Sequence, residues 1–320
     1  MVGSDLALRY RWVATFLWAT LTSVPVVAEP VLKGLTVESV LRSGPSAEKI
    51  DLVFCGDGYL QSERKGFRGD VDALLAELWA ISPYKELKSE FNVHLVYLDA
   101  PTGPRIQGKR TGEFLLGSFK RPEESSDLVH LRYPQRVDAV TANAPACDLP
   151  IVVTRMEGRS HSGKHVVVSR KAKLVLAHEL GHRLAALGDE YTSSSLLADR
   201  DNRPLPGKGD LPNVNLTLSA FIDPTTPQTI KRTAKWKHFL ELPDGDVVSA
   251  YQGGYYRVVD VWRPTNRCVM SEGRYPDFCP VCHEHLYRSI LERNAKSFHH
   301  DSYHRDYPLR LWRSPGVAPR

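Results

Sequence analysis

The chain has 320 residues, a formal charge of +5 spread along its length and 42% hydrophobic residues, enough apolar material for one substantial domain or two lobes around a cleft. Its aromatics are not interleaved with a basic patch, so the composition excludes a nucleic-acid module. Beyond the N-terminal segment no apolar run is long enough to span a bilayer.

Arg9 and Arg11 precede an apolar stretch from Trp12 to Ala28 that Thr20, Thr22, Ser23 and Pro25 interrupt. That pattern predicts a cleaved export signal over residues 1–28 and a secreted or periplasmic mature protein. Residues 50–55 (IDLVFC) read as a buried strand. The GDGY that follows reads as a turn, with Asp57 and Tyr59 as turn and cap residues. An amphipathic helix comes next, carrying Phe67, Val71, Leu74, Leu75 and Leu78 at spacings of three and four and ending by Pro83. Residues 91–98 return as a strand, and the polar stretch from about 100 to 145 reads as a surface excursion. Two further strands, at 149–155 and 165–170, lead into the apolar run LVLAHELGHRLAAL. The fold class is therefore α/β, a mixed sheet with an active-site helix in an N-terminal catalytic lobe over 29–195. A less regular C-terminal lobe follows over 196–294, with a Pro-initiated helix from 280 to 294, and residues 295–320 form a basic, solvated tail.

Within the apolar run stands HELGH. His178 and His182, four residues apart, project from one face of a helix, and Glu179 lies beside them. Burying these groups is costly unless a metal satisfies them, so the run predicts a Zn2+ site and a hydrolase. A catalytic zinc takes a third protein ligand. Gly188 is a natural left-handed cap whose turn brings Asp189 back toward the ion, with Glu190 as the alternative ligand. Of five cysteines, Cys268, Cys279 and Cys282 cluster in sequence. Export favours a disulfide from Cys268 to Cys279 or Cys282; the other reading is a structural zinc on these thiols and His283. Asn215-Leu-Thr217 is formally a glycosylation sequon.

IDLVFCGDGY (50–59), PYKELKSEFNVHLV (83–96), HELGH with LGDEY (187–191), PNVN (212–215), KWKHFL (235–240), WRPTNRCVM (262–270) and FCPVC (278–282) together resemble the secreted zinc metallopeptidases named after a bacterial IgA peptidase, over about residues 50–290. The resemblance implies a zincin-like endopeptidase with a protein or peptide substrate. It also implies His178 and His182 as zinc ligands, Glu179 as general base and an acidic residue of the DEY run, Asp189 by our reading, completing the site. The chain departs from the family in carrying Arg159, His161 and Lys164 in a hairpin that is glycine-rich elsewhere. It departs from metzincin spacing in placing Asp189 one residue late. By the same analogy Met270 is expected on a tight turn beneath the zinc. Tyr191, Tyr255 and Tyr256 are candidates to assist at the oxyanion, and the edge of the hairpin before His178 is a place to receive an extended peptide. The competing readings are a catalytically silent adhesion protein and a zinc amidase acting on cell-wall peptides.

Overall fold

Four strands that are apolar at most positions owe that pattern to a sheet covered on both faces. In the computed structural model, which describes residues 32, 34–106, 109–122, 127–171, 174–192, 204–271 and 275–312, the chain runs β1 (Thr36–Leu41), β2 (Ile50–Asp57), α1 (Arg64–Leu78) and β3 (Phe91–Tyr97). Two hairpins, β4 (Thr102–Ile106) with β5 (Lys109–Gly112) and β6 (Ser118–Lys120) with β7 (Val129–Leu131), precede α2 (Pro134–Thr141). Then come β8 (Leu149–Thr154), β9 (His161–Ser162), β10 (Val166–Ser169) and α3 (Val175–Ala185). The C-terminal part holds β11 (Thr217–Leu218), α4 (Pro227–Thr233), α5 (Lys237–Leu240), β12 (Tyr251–Gly254), β13 (Arg257–Arg263), α6 (Pro280–Arg293) and α7 (His300–Asp306). The expected export signal lies outside the described residues. Among those residues no helix is long and apolar enough to cross a membrane.

The main sheet is mixed, in the order β1-β3-β2-β8-β10-β9. β3, β2, β8 and β10 are mutually parallel neighbours, whereas β1 and β9 pair antiparallel at the two edges. Alternation along each strand assigns its side chains to two apolar layers. Leu52, Phe54, Ile151, Val153, Val166 and Val168 pack with α1 and α3, while Val53, Cys55, Val152 and Val167 face the other way.

That second face corrects one expectation. Residues 100–145 are not a bare surface excursion, because Leu116, Val129, Val137 and Val140 from this stretch close the second layer. Asp57, at the end of β2, anchors it. Its buried carboxylate accepts hydrogen bonds from Leu116 N (2.9 Å), Ser118 N (2.9 Å) and Ser118 Oγ (2.6 Å). Burial still pushes the Asp57 carboxyl above its ordinary range, against the pull of those donors. Asp57 is thus structural as expected, but it caps the excursion and not α1. Tyr59 ties to the helix instead, donating to Asp70 Oδ2 at 2.8 Å. Asp57→Ala leaves three buried donors unmatched, so it is expected to lower stability by about 2–4 kcal/mol in urea unfolding. A loss below about 0.5 kcal/mol, the level of an ordinary surface change, would remove the anchoring role.

Much of the expected solvated tail is folded as well. Tyr303 of α7 and Leu309 are buried, and Trp312 Nε1 donates to Phe278 O at 2.8 Å. Their aromatic surfaces surround His283 of α6. His283 is itself held by the hydroxyls of Ser82 and Tyr303, each at 2.7 Å. Burial pushes this imidazole down to about 3, with the Glu284 charge acting in the opposite direction. The unfolded chain therefore binds a proton from about pH 6.5 downward that the folded chain refuses until about 3. The stability this neutral ring contributes is whole above about pH 6.5 and decays as pH falls, by about 2 kcal/mol between pH 6.5 and 5. Urea unfolding at the two pH values measures the decay, and it should shrink in His283→Gln.

Candidate metal and catalytic centre

α3 enters from Leu174, whose backbone N–H is held by Glu77 Oε2 of α1 at 2.9 Å. The helix is buried on most sides, with His178 and Glu179 only 7% and 5% exposed. It ends at Ala185, and Ala186 adopts the left-handed conformation (φ 48°) while its N–H returns to His182 O. The reversal thus falls two residues earlier than Gly188, the expected turn. Gly188 is small for another reason: a Cβ there would stand 2.4 Å from Leu216 Cδ1. Its N–H and carbonyl are clamped by the Asn215 side chain, both at 2.8 Å.

The early turn carries the chain back over the helix. His178 Nε2 and His182 Nε2 each lie 3.1 Å from Asp189 Oδ1, and 3.1 Å from one another. Both imidazoles are oriented through their other nitrogen: His178 Nδ1 donates to Val269 O at 3.1 Å and His182 Nδ1 to Leu187 O at 2.6 Å. Donation from Nδ1 orients both rings so that their Nε2 atoms converge on one point, as metal-ligating histidines do. Around one zinc at roughly 2.0–2.1 Å, tetrahedral nitrogen and oxygen ligands stand about 3.3 Å apart. Two imidazoles and a carboxylate at 3.1 Å fit that ion by both spacing and donor type.

Electrostatics agree with a cation site. Burial opposes charge on both Asp189 and His182, and their mutual interaction overcomes it. The His178 and His182 hydrogen bonds hold the Asp189 carboxyl well below its usual range. The Asp189 hydrogen bond and charge raise His182 to about 9. Glu179 is pushed upward by burial, against the nearby His178 and His182.

The alternative ligand, Glu190, is directed elsewhere. Consecutive residues of an extended segment point to opposite sides, and Glu190 accordingly meets Asn215 Nδ2 (2.9 Å) and Cys282 Sγ (3.1 Å). Its backbone N–H donates to Met270 O at 2.8 Å, and Tyr255 N to Asp189 O at 2.8 Å. The segment that carries Asp189 is thus gripped from both edges. Met270 packs against the site helix, where a Cβ on Gly181 would meet its sulfur at 3.0 Å, and Ser271 N closes the turn on Cys268 O at 2.9 Å.

Of the three candidate tyrosines, Tyr191 meets the centre directly and Tyr256 meets Tyr191. The Tyr191 ring stacks on His178 at 6.3 Å between centroids, and its hydroxyl donates to Tyr256 OH at 2.7 Å. Arg159 Nη2 reaches Tyr191 OH at 3.3 Å. Tyr255 contributes backbone. The hairpin edge is narrower than expected, because Arg159 already exchanges backbone hydrogen bonds with Asp127 and Val129.

Asn215 is the site residue that sequence reasoning missed. It is fully buried, which also rules out the sequon as a glycan site on the folded chain. PNVN was visible as part of a resemblance, yet no spacing rule ties it to a glycine 27 residues upstream. The cysteine expectation is corrected too. Cys268, Cys279 and Cys282 are unbonded thiols, and the fourth group beside them is Glu190, since His283 points to Ser82 and Tyr303.

Two imidazoles, a carboxylate and a neighbouring buried glutamate on one helix and its return segment form a metal-capable centre. The sequence model of the IgA peptidase M64 family matches residues 39–243. That span is well over half of the chain and includes His178, Glu179, His182, Asp189 and Tyr191, whereas Tyr255, Tyr256, Val269 and Met270 lie beyond it. The chain belongs to this family, which makes it a peptidase with protein or peptide as its substrate and implies dependence on a metal. A search among curated proteins returned no match.

Proposed function

We propose that the chain is an exported zinc-dependent endopeptidase, with zinc held by His178, His182 and Asp189 on a zincin-like scaffold. The observation that carries this reading is the triangle of 3.1 Å separations among the two Nε2 atoms and Asp189 Oδ1. The mixed sheet beside the site helix and Met270 packed against it support the scaffold assignment. The charged, apolar and small-residue pattern of residues 1–28 supports export.

Bound zinc supplies a Lewis acid that polarises a carbonyl and acidifies water. The chain's own groups do the rest. Glu179, adjacent to the ligands but not among them, takes the proton of the attacking water and hands it to the amide nitrogen as the C–N bond breaks. Burial removes water from this carboxylate, so it meets the attacking water without a competing hydration shell. Tyr191 donates to the Tyr256 oxygen and so orients the second hydroxyl next to the centre, where it stabilises charge developing on the scissile oxygen.

Tyr256→Phe is expected to lower kcat by about a hundredfold with little change in KM; steady-state kinetics on an internally quenched peptide would return Tyr256 to a packing role if kcat were unchanged. The reaction class is tested by offering the purified mature chain an unfolded protein and peptidoglycan fragments, each with and without chelator. Chelator-sensitive internal cleavage of the protein supports the proposal. Cleavage of the cell-wall peptide alone would make the enzyme an amidase, and cleavage of neither would make it a binding protein.

A further inference from the structure

Behind the segment that carries Asp189, three sulfurs and a carboxylate converge. The ligand atoms of Glu190, Cys268, Cys279 and Cys282 all lie within 4.8 Å of one another, and all four residues are buried. Glu190 Oε1 is 3.1 Å from Cys282 Sγ and 3.8 Å from Cys279 Sγ. Glu190 Oε2 is buried with no hydrogen-bond partner. We propose that these four side chains form a second, closed metal site that takes zinc or another thiophilic divalent cation and has a structural role.

The donor set has the chemistry of such a site. Structural zinc is bound by four protein ligands in which thiolates predominate, whereas an open catalytic site keeps a position for water. Sulfur ligands at roughly 2.3 Å from one ion stand about 3.8 Å apart, so groups within 4.8 Å close on it with sub-ångström shifts. Cys279 is the N-cap residue of α6 and Cys282 lies in its first turn. The positive end of the helix favours the thiolate forms that a metal requires. Cys279 N–H also donates to Cys268 Sγ at 3.3 Å, as backbone amides do around ligating sulfur. Asn215 Nδ2 holds Oε1 at 2.9 Å and so aims the carboxylate into the cluster. A disulfide between any two of the thiols would leave the third, together with an unpaired glutamate oxygen, buried without compensation; a metal satisfies all four.

The position gives the site its purpose. One ion there would join the N-terminus of α6, the turn from Cys268 to Met270 and the segment of Asp189. Val269, whose carbonyl orients His178, sits on that turn, and Glu190 is the next residue after Asp189. The ion would therefore fix the turn and segment that aim two of the three catalytic-site ligands.

This proposal does not depend on the peptidase reading, and its test keeps the two apart. Mature protein prepared under reducing conditions, loaded with zinc and freed of excess by gel filtration, is expected to hold two ions per chain. The double variant His178→Ala/His182→Ala is expected to keep one, with Cys268, Cys279 and Cys282 protected from a thiol reagent until a chelator is added. Cobalt in the same variant should show the intense near-ultraviolet band of thiolate-to-metal charge transfer. Because the cysteine cluster is intact in that variant, the result does not hang on whether cysteine variants fold. The proposal is overturned if the double variant binds no metal, if its cobalt form lacks the thiolate band, or if peptide mapping of metal-loaded protein finds Cys268 in a disulfide. An ion on the thiols in a protein that cleaves nothing would uphold this site and sink the peptidase proposal alone.

Discussion

Glu179→Gln is expected to retain zinc at the histidine site and to lose about a thousandfold or more in kcat. The amide replaces the carboxylate at nearly constant volume in a helix position where the side chain is buried, so packing is preserved while the ability to accept a proton is removed. His178, His182 and Asp189 keep their separations, because His178 Nδ1 and His182 Nδ1 are held by Val269 O and Leu187 O and not by Glu179. Metal content and kinetics measured on one preparation check both halves. A zinc-loaded Gln variant with full activity would end the assignment of Glu179 as base. Simultaneous loss of metal and activity would instead make it a ligand or a structural residue.

The second large effect is on metal affinity. His178→Ala, His182→Ala and Asp189→Ala each remove one of three donors and are expected to weaken zinc binding at that site well beyond the roughly 10–100-fold that loss of a supporting hydrogen bond causes. Asp189→Ala has a further consequence. The carboxylate is the negative charge that draws a cation between two imidazoles, and without it the converging Nε2 atoms face each other uncompensated at 3.1 Å. Glu190→Ala should leave that triangle with all its donors and weaken zinc there less than Asp189→Ala does. Competition against a chelating dye ranks the variants. Weaker binding in Glu190→Ala than in Asp189→Ala would transfer the third ligand to Glu190.

The parts of this centre that were legible in the sequence are those a single helix encodes. HELGH sets its two imidazoles by helical pitch alone, and the apolar residues around it announce burial. Asp189 followed from the need for a third ligand after the helix end, but the mechanism of the turn did not. Glycine is the residue for which a left-handed conformation costs least, so Gly188 drew the assignment. The structure places that conformation at Ala186 and uses Gly188 for close approach to Leu216. Which of two consecutive acids faces the histidines is decided by Asn215, Met270 and Tyr255, contacts that depend on distant segments and leave no local pattern.

The same distinction separates the fold's legible elements from the others. β2, β3, β8 and β10 were readable because each is rich in β-branched and other apolar residues. Residues 100–145 were not, since Leu116, Val129, Val137 and Val140 are dispersed among polar and turn residues and form a layer only when laid on the sheet. His300–Asp306 falls within the stretch read as a basic, solvated tail, and its one deeply buried side chain, Tyr303, belongs to an aromatic group that includes His283 and Tyr287 of α6. The thiols were assigned a disulfide from the compartment alone. What that argument lacked was Glu190, which sequence reasoning had reserved for the other site.

The central claim is that one zinc ion on His178, His182 and Asp189 is what makes this chain a peptidase. Titrating metal-free mature protein with zinc while following cleavage of an internally quenched peptide tests it directly. The account predicts no turnover in the metal-free protein and activity that rises with occupancy of the histidine site, with none recovered in His182→Ala. Undiminished cleavage by metal-free protein, or by His182→Ala, would contradict it.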